Sequence, residues 1–233
     1  RYNYLLEMKR LFELVEKNLF LSNISKKFPF ASKADLIKPI ITISREFGSS
    51  GSIIAEKIAK KLGKKWQAYH SEIVDKIAVN TNISKNIIDK IDETKIPAIN
   101  LIIGDFFGKK YVNLSNYLKN LKKVMSSISE RGYAVIVGRG SNFLIPESLK
   151  IRIITDMEKR IKNVMKFRKV SREKAITMIN SSDKKRSEFT NQLFKHSNKN
   201  PYHYDVVFKT GSLLDDEEVV SAIVQMAKKK FNL

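Results

Sequence analysis

Short apolar runs alternate along the chain with longer stretches in which apolar positions recur every three or four residues. The first short run, Ile40, Ile41, Thr42 and Ile43, is β-branched and almost wholly apolar, as a strand covered on both faces requires. It leads into Gly48, Ser49, Ser50, Gly51 and Ser52, after which Ile53, Ile54, Ile58 and Leu62 recur at helical spacing. Further strands are predicted over 64–70 (KKWQAYH), 134–137 (AVIV), 150–154 and 204–208 (with the run DVVF). Upstream of them, Leu5, Met8, Phe12, Val15 and Leu19 step by three and four, which predicts an amphipathic helix over 1–24, its stripe widened by Leu11, Leu14 and Phe20. Residues 25–38, with Pro29, read as a connector.

Ser71 and Ser84 each stand where they can cap a helix, the first burying Ile73, Val74 and Ile77, the second Ile87, Ile88 and Ile91. Pro97 breaks the pattern, and the apolar 98–112 segment, with Gly104 and Gly108, reads either as a bent helix or as a lobe. A clearer helix covers 114–128 and is ended by Gly132. Thr155 and Glu158 match a capping box opening a helix over 156–168. A second basic helix follows over 171–181, and a third is predicted to begin near Asp183. Pro201 is a further break. Asp215, Asp216, Glu217 and Glu218 open the last helix and Lys228–Lys230 close it, matching the helix dipole at both ends.

Five short apolar strands alternating with helices predict an α/β fold: a parallel sheet with helices on both faces. The domain division expected is an N-terminal helix and connector over 1–38 and one α/β domain over 39–233. Ligands of such sheets bind at the carboxyl ends of the strands. Here four of those ends read SREFGSSGS, YHS, VGRG and TDMEKR, all polar, charged or glycine-bearing.

Composition narrows the partners. The chain of 233 residues has no cysteine, which excludes disulfides and thiolate metal sites. No apolar run approaches the roughly 18 residues of a membrane span, and charges run through the N-terminus, so neither a membrane anchor nor a secretory signal is expected. The expected location is the cytoplasm. The net charge of +20 favours anionic partners, either nucleotide phosphates or nucleic acid, unless it is a solvated lysine-rich surface. Residues 150–199 hold 15 Lys/Arg against 5 Asp/Glu, a local +10. The N-terminal helix is expected to pack on the domain or on a second copy, as in a homodimer.

A strand feeding a glycine- and serine-rich loop and then a helix N-terminus is an anion site, because loop N–H groups converge there and the helix dipole adds positive charge. Against the phosphate-loop pattern G-x-x-x-x-G-K-[ST], with Ser52 as the hydroxyl, Gly51 falls where lysine is expected and Arg45 where the first glycine is expected. The structural alternative is an ordinary turn with serine caps. Arginine binds phosphate through a bidentate fork, so Arg45 is the first candidate to supply the missing charge. On that reading Arg45→Ala weakens triphosphate binding more than monophosphate binding. Arg139, in the Gly138-Arg139-Gly140 turn, and Arg160, Arg168, Arg172 and Arg186, with Asp183, are the other charged candidates; phosphoryl transfer depends on such cations. Each taken alone is also readable as a surface charge. His70, His196 and His203 show no metal-ligand spacing.

The stretches ITISREFGSSGSIIAEKIAKKLG, YHSEIVDKIA, AVIVGRGSNFLIP, SSDKKRSEF and NPYHYDVVFKTGSLLDDEEVVSAI, in this order over residues 39–228, resemble the cytidylate kinase-like family of P-loop nucleoside monophosphate kinase relatives. A loop of the form S-R-E-[FY]-G-S-x-G without the lysine is typical of that branch. The resemblance implies a three-layer α/β/α fold with a five-stranded parallel sheet and a helical lid. It implies ATP-dependent phosphoryl transfer to a nucleoside monophosphate, CMP or dCMP, with Mg²⁺. By position it implies donor-phosphate binding at Gly48, Ser49, Ser50, Gly51 and Ser52, with Ser52 at the metal. It implies acceptor binding at Ser71, Arg139 and Asp183, and charge-stabilising roles for Arg160, Arg168 and Arg186. Gly140 stands where the family's glycine-arginine-aspartate motif has aspartate, and His70 where such kinases often carry aspartate. Two other classes stay open: a non-catalytic nucleotide-binding or regulatory protein, and a basic nucleic-acid-binding module.

Overall fold

The structure, a computed structural model, describes residues 2–25, 38–80, 114–211 and 213–233. The helix expected behind Ser84, the break at Pro97, the 98–112 segment and most of the 25–38 connector lie outside the described residues. The elements run α1 (Tyr2–Ser25), β1 (Ile40–Arg45), α2 (Gly51–Leu62), β2 (Gln67–Tyr69), α3 (Ser71–Asn80), α4 (Leu114–Arg131), β3 (Ala134–Val137) and α5 (Ser141–Leu144). Then follow β4 (Leu149–Thr155), α6 (Met157–Arg168), α7 (Arg172–Phe194), a 3₁₀ turn (Pro201–His203), β5 (Val206–Thr210) and α8 (Asp216–Phe231).

The chain divides into two units, Arg1–Leu36 with Ser71–Arg131, and Ile37–His70 with Gly132–Leu233. In the first unit α1, α3 and α4 pack on one another. The predicted stripe of α1 is buried at Met8, Leu11, Phe12 and Val15, and α4 buries Tyr117, Leu121, Val124, Met125 and Ile128. The sequence division at 38/39 sets α1 apart, whereas the packing groups it with the helices inserted between β2 and β3, because α3 and α4 cover its apolar stripe.

The second unit is built on a five-stranded, all-parallel sheet in the order β2-β3-β1-β4-β5. Period-two alternation places Ile41 and Ile43, Val135 and Val137, and Ile151 and Ile153 in one core with Ile54 and Ile58 of α2 and Val220, Ile223 and Val224 of α8. The acidic run opens α8 with a capping box, Asp215 accepting from the Glu218 N–H and Glu218 accepting from the Asp215 N–H. β1 is central, so its carboxyl end opens between those of β3 and β4, where open α/β sheets bind ligands.

Two local expectations are corrected. The residues from 171 to beyond Asp183 form one helix, α7, rather than two. The stretch Asn180–Asp183 contains neither glycine nor proline, so nothing stops the helix there. The box expected from Thr155 and Glu158 does not form: Asp156 is the N-cap residue of α6, the Thr155 hydroxyl bonds the Thr210 hydroxyl at 2.6 Å, and Glu158 pairs with Arg172.

Candidate functional site

The loop after β1 is held by its neighbours atom by atom. The Glu46 N–H donates to Ile153 O at 3.2 Å, and the Glu46 carboxylate accepts from the Thr155 N–H at 3.0 Å. The Phe47 N–H donates to Asp183 Oδ1 at 2.9 Å, and Asn163 Nδ2 donates to Gly48 O at 2.8 Å. Gly48 has φ +83°, and a Cβ there would lie 2.9 Å from Arg160 O and 3.0 Å from Val164 Cγ2, so the loop is seated directly on α6. Ser49 is buried and its hydroxyl donates to Glu46 O at 2.9 Å. Ser50 takes the left-handed N-cap position at φ 60°, and the Ile54 N–H is bonded to Ser50 O at 2.9 Å. The N–H groups of Gly51, Ser52 and Ile53 precede the first helical hydrogen bond, the arrangement that binds anions at helix N-termini. Ser52 is exposed in that first turn, so its hydroxyl could reach a metal ion on bound phosphates.

Arg160 is the hub of this side. It is 6% exposed. Its Nε donates to Phe47 O at 2.8 Å, Nη2 is paired with Asp183, and Nη1 lies 3.5 Å from Glu46 Oε2. Asp183 also faces Arg186 Nη1 at 3.5 Å, and the Arg186 guanidinium lies over the Phe47 ring at 5.4 Å from its centroid. α6 and α7 form a helical hairpin closed by Ile161, Val164, Ala175 and Ile179, with Phe47 packed against it. The resemblance casts Arg160 as a lid arginine and Asp183 as an acceptor ligand. In the structure both are turned inward, holding the loop to the hairpin. Arg168 is exposed in the last turn of α6, about 12 Å along the axis from Arg160, and does not line the pocket described next.

That pocket opens at the carboxyl ends of β1 and β3. Arg45, Arg139 and Arg186 line it together with Ser44, Asn142, Thr190, Asn198 and Tyr204, and the rings of Phe143 and Phe189 form its apolar wall. Arg139 lies over Phe189 at 5.1 Å from the ring centroid. Arg186 is paired with a carboxylate, Asp183, which stands outside the lining. Arg152 of β4, which touches two of the lining residues, is 6% exposed. It is in register with Ser44, its Nη1 donates to Ser44 Oγ at 3.0 Å, and its guanidinium lies 5.7 Å from the Tyr204 ring centroid. No carboxylate pairs with Arg152 among the described residues. The Tyr204 hydroxyl lies 3.2 Å from Ser44 Oγ and donates to Asn198 O at 2.9 Å.

Gly140 is explained by the same wall. It has φ +65°, and the Phe194 ring fills the space a Cβ would need. Phe194 stacks on Phe143 at 5.2 Å, and Phe143 in turn meets His196 and His203 at 5.1 Å each. An aspartate at 140 is therefore replaced by an aromatic wall. Burial, and secondly the adjacent His196, hold the His203 imidazole below its ordinary pKa. Ser71 follows β2 and opens α3; it is buried, and its hydroxyl donates to Glu72 Oε2 at 3.1 Å. His70 pairs with Glu56 at 2.5 Å. Among the described residues no group of acidic or histidine side chains is arranged to hold a metal by itself.

The sequence reading missed Arg152, Asn163, Glu46, Phe194 and Tyr204. Only Arg152 left a visible signal, a lone arginine inside the otherwise apolar strand run IRIIT.

Residues 40–212 match the model of the cytidylate kinase-like family. The crystal structure of an uncharacterized protein from Eubacterium ventriosum is similar, at 22% identity and TM-score 0.62, over 82% of this chain and 99% of that one. Shikimate kinase from Bacteroides thetaiotaomicron aligns at 12% identity and TM-score 0.46, over 84% of this chain and 99% of its own. At 22% identity the first likeness shows the fold alone. No curated protein matches the chain. The family match runs through the loop after β1, the arginine-lined pocket and the α6–α7 hairpin, and on it the chain, with its nucleotide kinase-type fold, belongs to the cytidylate kinase-like family.

Proposed function

We propose that the protein transfers the γ-phosphoryl group of ATP to a nucleoside monophosphate, with CMP and dCMP the first acceptors to test. The observation that carries this reading is the buried Arg152, without a carboxylate partner among the described residues, touching the lining of a pocket that holds three further arginines. Burying an unpaired guanidinium costs several kcal/mol, and a bound phosphate monoester offsets that cost through charge-assisted hydrogen bonds. The aromatic wall of Phe143 and Phe189 suits the flat face of a base.

Donor phosphates suit the loop because the N-terminus of α2 points the N–H groups of Gly51, Ser52 and Ile53 out of the helix. ATP would supply the phosphoryl group, and Mg²⁺, when bound, would neutralise phosphate charge. Ser52 would hold the metal through its hydroxyl. Arg139 and Arg186 orient the acceptor phosphate, whose oxygen is already anionic, so no side chain has to remove a proton. The α6–α7 hairpin, tied to the loop through Arg160, Asp183 and Asn163, keeps water from the donor side. On this reading the protein works in the cytoplasm, with ATP as its donor.

A second reading is favoured by Gly51: without the lysine of the phosphate loop, the protein binds nucleotides and does not transfer. One experiment separates the two: ADP release is followed with ATP, Mg²⁺ and a panel of nucleoside monophosphates. Transfer to at least one monophosphate is expected. Nucleotide binding without transfer supports the second reading, and no binding of ATP or of any monophosphate contradicts both.

A further inference from the structure

The loop departs from the phosphate-loop pattern at three positions: serine stands for the second glycine at 50, and the other two departures are arginine for the first glycine and glycine for the lysine. The structure puts these last two positions in contact. A Cβ built on Gly51 would lie 2.8 Å from Arg45 Cβ and 2.9 Å from Arg45 Cγ, closer than carbon atoms approach. Position 51 therefore accepts no side chain while position 45 has one. The Arg45 stem crosses Gly51, and its guanidinium comes to rest against Gly138 at the end of β3, in the space a Cβ on Gly138 would fill. Gly138 has φ +83°, a conformation open to glycine. Two glycines, one from the loop and one from β3, thus form the track along which the Arg45 side chain lies. At its far end the guanidinium lines the pocket with Arg139 and Arg186.

We infer that Arg45 and Gly51 are a single exchange. The loop has moved its cation from the lysine position to the first position, and in doing so has moved the charge from the donor phosphates to the acceptor side. Arg45 is then a binding residue for the acceptor phosphate, and it stands where that phosphate meets the loop. This assignment rests on the kinase reading for the identity of the acceptor; the exchange itself is steric and does not. It reverses the order expected from the sequence, because Arg45 now serves the monophosphate more than the triphosphate.

The test is a double-substitution cycle with Arg45→Gly and Gly51→Lys, read by thermal melting without nucleotide and by calorimetric titration of CMP, dCMP and ATP. Gly51→Lys alone is expected to lower the melting temperature by about 4–10 °C, the range for overpacking in a chain of this size. In the Arg45→Gly background the same substitution should change it by no more than about 2 °C. Equal losses in both backgrounds overturn the exchange, whatever the protein binds. Arg45→Gly should weaken the monophosphate by about tenfold to a hundredfold, as loss of a charged hydrogen bond does, and ATP by less than about threefold. A larger loss for ATP than for the monophosphate overturns the acceptor-side assignment and leaves the kinase reading standing. If the wild-type protein binds no monophosphate, the kinase reading and the acceptor assignment fall together, and melting alone decides the exchange.

Discussion

Arg160 and Arg152 are equally buried, at 6% exposure each, and they mean opposite things. Arg160 has carboxylates on two sides, Glu46 and Asp183, and its third contact is a loop carbonyl. Its charge is consumed inside the protein, so it holds the loop after β1 against α6 and α7. Arg152 has a serine hydroxyl and the face of a tyrosine, neither of which neutralises it. The contacts of the first tie the loop to the hairpin; on the proposed reading the second is a cation that a ligand completes. Burial alone does not separate them; the identity of the partner does.

The comparison is most severely tested by removing each charge. Arg160→Met strands Glu46 and Asp183 and frees the Phe47 carbonyl, so urea denaturation should show a loss of about 3 kcal/mol. A loss under about 1 kcal/mol breaks the claim that Arg160 holds the loop. A smaller effect is expected at the aromatic cluster beside Gly140. Gly140→Asp should cost about 2 kcal/mol, since Phe194 fills the space beside Gly140 and the backbone there is left-handed. With Phe194→Ala in the same chain, the added cost of Gly140→Asp should fall by about half. Additive losses in urea melts would show that the ring is not the obstacle.

The smallest effect concerns the histidines beyond that wall. A folded-state pKa held below the ordinary value means that the unfolded chain binds the proton more readily. His203 therefore contributes stability that is fully present above about pH 6.5 and is lost as the pH falls through the lowered folded value. His203→Phe should flatten the fall in urea midpoint between pH 7 and pH 5, with the wild-type slope the steeper. An unchanged slope would show that His203 titrates normally.

The sequence made the frame of the site legible and left its wiring hidden. The β-branched run Ile40–Ile43, followed by glycine and serine, marked the central strand and its anion loop, because local propensity and burial agree there. The chemistry depends on contacts between residues far apart in the chain. Asp183 reaches back 136 positions to the Phe47 N–H. Read locally, the same aspartate marks the start of a new helix, whereas it lies inside α7. Gly140 looks like a lost aspartate until Phe194 is seen against it. Arg152 sits one position from isoleucine on either side, and only the register with Ser44 shows what it faces. Arg45 was picked from the pattern, but the direction of its side chain is set by Gly51 and Gly138 together.

The measurement that bears most directly on the arginine pocket is the stability of wild-type protein and Arg152→Met, each with and without a nucleoside monophosphate. Without ligand the variant should be as stable as the wild type or more so, since a buried charge without a carboxylate is replaced by an apolar chain of similar length. At a monophosphate concentration 100 times its dissociation constant, the wild type should gain about 2.7 kcal/mol and the variant, with affinity a hundredfold weaker, about 0.4 kcal/mol. If Arg152→Met loses stability as Arg160→Met does, and the monophosphate stabilises it as much as the wild type, then Arg152 is a structural cation and the pocket is not the acceptor site.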